Sequence, residues 1–395
     1  MSRKISAHYV FPISSKPIKR GVVEVDDDGQ ILNIIDPGDE VKEMAGVEFY
    51  SGILVPGFVN THCHIELSHL KGIVPEHTGL HNFISQISKI RIADEATILK
   101  GIKKADWEMQ KNGIVAVGDI SNTNHSIITK NNSKINYHTF VELFSLNPQK
   151  AKTVFDSGKK LKKELENKSL SSSIIPHTPY SVSKELFQLI LDENKNETAT
   201  ISMHNQECAS ENELFIRKSG NIFDSLSNMG VDFSNFKPTG KNSLESVISY
   251  FPKKRKCLLV HNTFSDKRDI NIANQHFNEV FWTFCPNANL YIENRLPDIP
   301  LFYKMNQKCT IGTDSLTSNH QLSVLEELKS IQAYYPQIPL TEILKWATFN
   351  GAEALNLSDK IGSFEIGKKP GINLISKIDF DKMQLRSESK VKVLV

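Results

Sequence analysis

Apolar residues along this chain fall into short runs separated by polar, helix-forming stretches, and that alternation sets the expected fold. Near the start, Gly21-Val-Val-Glu-Val25 alternates apolar with polar, Asp26-Asp-Asp-Gly29 is a turn signal, and Gln30-Ile-Leu-Asn-Ile-Ile35 resumes the strand pattern. No helical period appears before Gly52. The C-terminus mirrors this with Gly362-Ser-Phe-Glu-Ile366, a Gly367-Lys-Lys-Pro-Gly371 turn, and strands over Ile372–Ser376 and Val391–Val395. The two ends are expected to pair into one small β domain.

Between them the pattern switches to alternating strands and helices. Eight apolar strands are expected, at Gly52–Asn60, Ile114–Ile120, Tyr137–Leu143, Ser172–Pro176, Thr200–His204, Cys257–His261, Val280–Phe284 and Cys309–Thr313. The clearest helix runs from Glu95 to Asn112, with Ile98, Ile102, Ala105 and Met109 at helical spacing and Gly113 as its stop. Such alternation implies parallel strands joined by crossover helices. Eight units suggest an α/β fold of the (β/α)8 TIM-barrel type, whose active site lies at the carboxyl ends of the strands.

The 395 residues, 39% of them apolar, suffice for a large core, and a barrel absorbs about 250 residues as one unit. A formal net charge of +2, from 47 basic and 45 acidic residues, gives no push toward nucleic acid or a membrane surface. Lysine runs at Lys159–Lys163 and Lys253–Lys256 read as solvated faces. Five scattered cysteines without a Cys-x-x-Cys spacing fit a reducing compartment and not a disulfide framework. The first residues lack a long apolar run, and no stretch approaches the ~18–20 apolar residues of a membrane span. A soluble, cytoplasmic protein is expected.

The chemistry lies at the strand ends. His62 and His64 leave the same face of a strand because side chains alternate, so both rings can address one ion while Cys63 points away. The fifth strand ends in His204, the sixth in His261 and the eighth in Asp314. In a closed parallel barrel these ends converge on one rim. Each residue alone has a plain structural reading: a hydrogen-bonded strand-end histidine, or a helix N-cap for Asp314. Together, four histidines and a carboxylate make a nitrogen and oxygen metal site of the kind many catalytic zinc centres use.

Five stretches carry a further resemblance: Pro56-Gly-Phe-Val-Asn-Thr-His-Cys-His64, Pro176-His-Thr-Pro-Tyr-Ser-Val-Ser183, His204-Asn-Gln-Glu207, Cys285-Pro-Asn-Ala-Asn289 and Gly312-Thr-Asp-Ser-Leu-Thr-Ser-Asn319. In this order they resemble the amidohydrolase superfamily, in its branch of metal-dependent deaminases and chlorohydrolases. The resemblance implies a distorted barrel over residues 56–357 and a composite β-sandwich built from residues 1–55 and 358–395. It further implies one divalent metal, zinc or iron, held by His62, His64, His204 and Asp314. His261 would orient the attacking water or the transition-state oxygen, Glu207 would shuttle protons, and His177 would contact substrate. A homodimer is the family habit. One departure is Pro370-Gly-Ile-Asn-Leu374, where the family commonly has Ala-Asp-Leu; it belongs to the sandwich and touches no catalytic role.

Hydrolytic deamination needs hydroxide at an aromatic carbon and a proton for the departing ammonia. A divalent metal lowers the pKa of a bound water toward ~7; Asp314 is then a first proton acceptor, and a buried Glu207 can be protonated early. Glu66, Glu142, Ser315 and Asn319 stand near strand ends as further substrate contacts, with ion pairing or loop capping as their structural alternatives. His69, His77, His81, His125 and His138 are read as non-ligands. Pro176-His-Thr-Pro-Tyr180 resembles deaminases of methylthioadenosine, S-adenosylhomocysteine or aminofutalosine, and within these Glu66-Leu-Ser-His-Leu70 and Thr78-Gly-Leu-His-Asn-Phe83 lean toward aminofutalosine-deaminase-like members. The same site would serve a guanine deaminase or a triazine-type chlorohydrolase, and a catalytically silent scaffold is the non-enzyme alternative.

Overall fold

The computed structural model describes residues 2–38, 44–195, 198–253 and 255–395; Lys254 of the second lysine run lies outside them. Five strands open the chain: β1 (Arg3–Val10), β2 (Ile18–Lys19), β3 (Val22–Val25), β4 (Ile31–Ile35) and β5 (Val47–Pro56). Eight follow, each separated from the next by helix: β6 (Phe58–Cys63), β7 (Ile114–Ser121), β8 (Asn136–Leu143), β9 (Ser171–Pro176), β10 (Ile201–Asn205), β11 (Lys256–His261), β12 (Glu279–Phe284) and β13 (Lys308–Ile311). The last two are β14 (Ile372–Ser376) and β15 (Lys390–Val393).

The eight inner strands form two four-stranded sheets in sequential order, β6-β7-β8-β9 and β10-β11-β12-β13, parallel throughout. At one junction Cys63 and Asp314 make a parallel bridge. At the other the His204 N–H donates to the His177 carbonyl at 3.0 Å. The flanking helices present apolar stripes inward: in Glu95–Lys111, capped by Asp94 accepting from the Thr97 N–H, the buried residues include Ile98, Ile102, Ala105 and Met109. Full burial of a side chain such as Ile102 stabilises the fold by roughly 1.5–3 kcal/mol.

The terminal segments share one seven-stranded mixed sheet, ordered β15-β14-β5-β1-β3-β4 with β2 on β1. Its own core gathers Ile5, Val23, Ile31, Leu54, Phe364 and Leu374. Two expectations are corrected here. The stretch Gly52–Asn60 is not one strand; it divides between β5 in the terminal sheet and β6 in the inner sheet. Gly57 marks the break, because a Cβ there would lie 2.3 Å from a Val115 methyl and 2.6 Å from the Pro370 carbonyl. Gly362–Ile366 is not a strand either: Gly362 sits at φ +90, outside strand geometry, Ile366 is exposed, and Phe364 turns inward to plug the terminal core.

Candidate metal and catalytic site

Strand β6 carries His62, and His64, the first residue past its end, sends its ring to the same side. The His64 Nε2 lies 3.2 Å from the Nε2 of His62 and 3.2 Å from that of His204 on β10. Asp314, just beyond β13, sends Oδ1 to 3.6 Å from His62 Nε2 and 3.5 Å from His64 Nε2. The His261 ring on β11 stacks beside His204 with centroids 5.5 Å apart. Donor atoms of His62, His64 and His204 form one mutually close set, and those of His62, His261 and Asp314 another.

These spacings suit a cation. Tetrahedral zinc with ligands at ~2.0–2.1 Å separates neighbouring donors by roughly 3.3–3.4 Å, and the observed 3.2 to 3.6 Å brackets that value. Ring protonation also fits. Burial pushes His64 below the ordinary imidazole value, drives His204 well below it and takes His261 down to about 3, a direction that favours the lone-pair-bearing rings a metal needs. The His204 Nδ1–H donates to the His177 carbonyl at 3.0 Å, which leaves Nε2 as the lone-pair nitrogen facing the cluster. For Asp314, burial alone would raise the pKa, but the His62 hydrogen bond and the surrounding histidine charges hold it well below the usual carboxylate range.

Backbone strain marks the same rim. Gln206, His261, Asn262 and Asp314 all have left-handed φ, between +47 and +72. Non-glycine residues adopt that conformation at a cost of about 1–3 kcal/mol each, and they cluster where function over-determines geometry.

Glu207 follows β10 and is buried, with Oε1 3.7 Å from His261 Nε2. Burial, then the charges of Asp314, Glu211 and Glu293, raise its pKa well above the ordinary glutamate value. His177, beyond β9, lies 2.6 Å through Nδ1 from Glu142 Oε1. Burial would raise Glu142, but the charge and hydrogen bond of His177 outweigh it and hold it at about 2.

His64, Glu142, His177, His204, Glu207, His261, Asp314 and Ser315 all line a single cavity of about 890 Å³. Apolar side chains also line it, among them Leu80, Phe83, Ile84 and Ile87 from the helix Leu80–Ile90, and Leu226 and Phe236. Two other expected substrate contacts do not line this cavity. Glu66 accepts from the Asn122 and Thr123 N–H groups and from Thr123 Oγ1. Asn319 donates to the Thr313 carbonyl at 2.9 Å and to Glu327 at 2.8 Å, behind the Asp314 turn. Sequence reasoning passed over Ser318, whose Oγ donates to Asp314 Oδ2 at 2.6 Å, although it stands four residues on in the same motif. It also passed over Asn122, which donates to Glu142 Oε2 at 3.3 Å, and the apolar wall as a whole.

Residues 53–392 match the family model described as Amidohydrolase family. The chain belongs to the amidohydrolase family. Its sequence is 26% identical over 334 residues to a protein named adenosine deaminase from Helicobacter pylori, covering 82% of this chain and 79% of that one. The crystal structures that share its fold include two deaminases. One is the Helicobacter pylori aminofutalosine deaminase in complex with methylthio-coformycin, at TM-score 0.79 and 23% identity over 100% of both chains. The other is an adenosine deaminase from Xanthomonas campestris with bound zinc, at TM-score 0.74 and 20% identity, covering 99% of this amidohydrolase and 90% of that chain.

Proposed function

We propose that this amidohydrolase is a hydrolytic deaminase of adenine-type nucleosides carrying an extended 5′ substituent, with one divalent metal, zinc in first place and iron as the alternative, held by His62, His64, His204 and Asp314. The observation that carries the reading is the convergence of three imidazole nitrogens and one carboxylate oxygen, within 3.2 to 3.6 Å along the measured pairs, beside a buried Glu207 whose pKa burial raises. The inner sheets read as one closed barrel over residues 56–357, a reading supported by a β-bridge at one junction of the two sheets and a backbone hydrogen bond at the other. Residues 1–55 and 358–395 read as the composite accessory domain. A cytoplasmic home is supported by five free, buried cysteines. No helix among the described residues is long and apolar enough to cross a membrane.

When bound, the metal makes a coordinated water acidic enough to supply the nucleophile at neutral pH. Asp314, held in its carboxylate form by the histidines around it, would be the acceptor for the first proton given up by that water. Glu207, protonated, gives its proton to the ring nitrogen next to the carbon under attack, and the carbon–oxygen bond forms. His261 holds the oxygen by hydrogen bond. The proton on Asp314 passes to the exocyclic amine, ammonia leaves, and the remaining hydroxyl proton returns to Glu207 as the carbonyl forms.

The substrate class follows from size and lining. A cavity of about 890 Å³ lies near the top of the range for small-molecule sites and exceeds what a bare nucleobase fills. His177 and Glu142 stand where sugar hydroxyls can meet them, and the apolar wall takes the 5′ group. The relatives and the bound methylthio-coformycin of the structural neighbour point the same way. The test is ammonia release from adenosine, 5′-methylthioadenosine, S-adenosylhomocysteine, aminofutalosine, guanine and a chlorotriazine, with metal measured in the same preparation. Preference for a 5′-extended adenosine is expected; turnover of guanine or chlorotriazine alone would overturn the substrate assignment.

A further inference from the structure

Lys130 is buried in the short helix Ile127–Asn132, and each of its three N–H donors has an acceptor. Its Nζ lies 2.6 Å from Asp119 Oδ2, 2.9 Å from Ser121 Oγ and 3.0 Å from Thr139 Oγ1. Asp119, with no exposed surface, stands on β7 opposite Cys63, the residue between His62 and His64. Its other oxygen, Oδ1, accepts from the Ile65 N–H at 2.9 Å. Neither residue lines the cavity, and the mechanism uses neither.

A buried ion pair is a poor way to gain stability. Apolar residues of similar volume usually serve as well or better, because both charges must be stripped of water. A fully satisfied buried network does fix geometry, since each member has one arrangement that leaves nothing unpaired. Here the fixed end of the network is the amide that immediately follows His64, where the chain leaves β6 for the helical turn Ile65–Leu70. His64 is also the ring whose Nε2 lies 3.2 Å from two other ligand nitrogens, so a small displacement of its backbone changes both spacings.

We propose that Asp119 and Lys130 are a positioning pair for the metal site: Lys130 clamps the Asp119 carboxylate, and that carboxylate holds the Ile65 amide so that His64 meets its partners. The proposal rests on the metal reading above. Its test is the zinc dissociation constant, by competition with a chromophoric chelator, for the wild type and the double variant Asp119→Leu/Lys130→Met, with melting temperature measured alongside.

The apolar pair is expected to keep the melting temperature close to wild type while weakening zinc binding about tenfold or more, in the range seen when groups behind metal ligands are removed. Hydrogen–deuterium exchange in the peptide spanning residues 62–70 is expected to speed up in the metal-free protein. Wild-type zinc affinity within twofold in the variant overturns the proposal, and so does loss of melting temperature with affinity intact. If the double variant does not fold, Asp119→Asn with Lys130 retained serves in the same assay, and unchanged affinity there is equally fatal. A wild type that binds no divalent metal, with His64→Ala indistinguishable from it, sinks the metal reading and this one together; wild-type binding with an insensitive variant sinks the pair alone.

Discussion

His204, Glu142 and Asp314 at the floor of the cavity each carry a further hydrogen bond that fixes the reactive atom, to the His177 carbonyl, Asn122 and Ser318 respectively. Ile84, Ile87 and Leu226 on the apolar wall are only partly buried and contribute shape alone. The wall helix Leu80–Ile90 has no side-chain cap of its own; the Leu80 N–H is received by Glu293 from a distant segment at 2.6 Å. The floor sits at strand ends, with Asp314 in left-handed backbone and with the Glu142 and Asp314 carboxylates both held low by the histidines beside them. The wall sits on a helix whose buried residues are Leu80 and Phe83. On the proposed function, the polar contacts would fix the chemistry and the apolar surface the substrate size, so the two should respond differently to substitution.

The largest effect should come from the floor. Asp314→Ala, or removal of metal by chelation, is expected to lower ammonia release about 10³-fold or more, restored by zinc only in the chelated wild type. Glu207→Gln comes next: kcat should fall about 10²–10⁴-fold with metal content unchanged, and full activity in that variant would end the proton-shuttle role. Glu207 also sets a pH dependence. Its pKa is raised by burial and neighbouring carboxylates, and the proposed mechanism needs the protonated form. The wild-type rate should therefore hold at lower pH and fall as pH rises through that raised pKa, while the residual rate of Glu207→Gln loses this alkaline limb.

Much of this floor was legible because strand periodicity and strand termination are local properties. Cys257–His261 was expected as a strand and is found as Lys256–His261; the helix expected from Glu95 to Asn112 is Glu95–Lys111 with Gly113 in left-handed geometry after it. His62, His64, His204, His261 and Asp314 could be gathered from sequence because parallel strands in sequential order carry their carboxyl ends to one side. The break at Gly57 was not legible: an apolar run looks the same whether it stays in one sheet or passes to another, and the deciding contacts come from Val115 and Pro370. Lys130 was hidden for a similar reason. Lysine ordinarily reads as surface, and only the fold brings Asp119 and Thr139 around it. The wall stayed hidden because Ile84 and Ile87 fit an amphipathic helix equally well whether the face meets a core or a substrate.

The wall can be separated from the floor by Ile87→Ala. The lost methyl groups should raise KM for a 5′-extended adenosine roughly tenfold, within the ~1–3 kcal/mol that an apolar pocket contact contributes to discrimination. The kcat on adenosine itself should stay unchanged. Equal losses on both substrates would mean that the wall also shapes the chemistry, and the division drawn between the two regions would fail.

Glu66 gives the smallest catalytic effect and the sharpest check on where the floor ends. Its position two residues after His64 makes it look like a substrate contact, yet its oxygens take the Asn122 N–H at 3.0 Å, the Thr123 N–H at 3.2 Å and Thr123 Oγ1 at 2.9 Å. A carboxylate engaged by three donors has little left to offer a sugar hydroxyl. Glu66→Gln places an amide N–H₂ against donors that need an acceptor, so it should cost about 1–3 kcal/mol of stability, read as a lower denaturation midpoint. KM for every nucleoside on the panel should stay within about twofold of wild type. Glu142→Gln, on the cavity wall and bound to His177, should instead raise KM more than kcat falls. A tenfold rise in KM for Glu66→Gln with stability intact would move Glu66 into the substrate site and extend the floor one turn further along the chain.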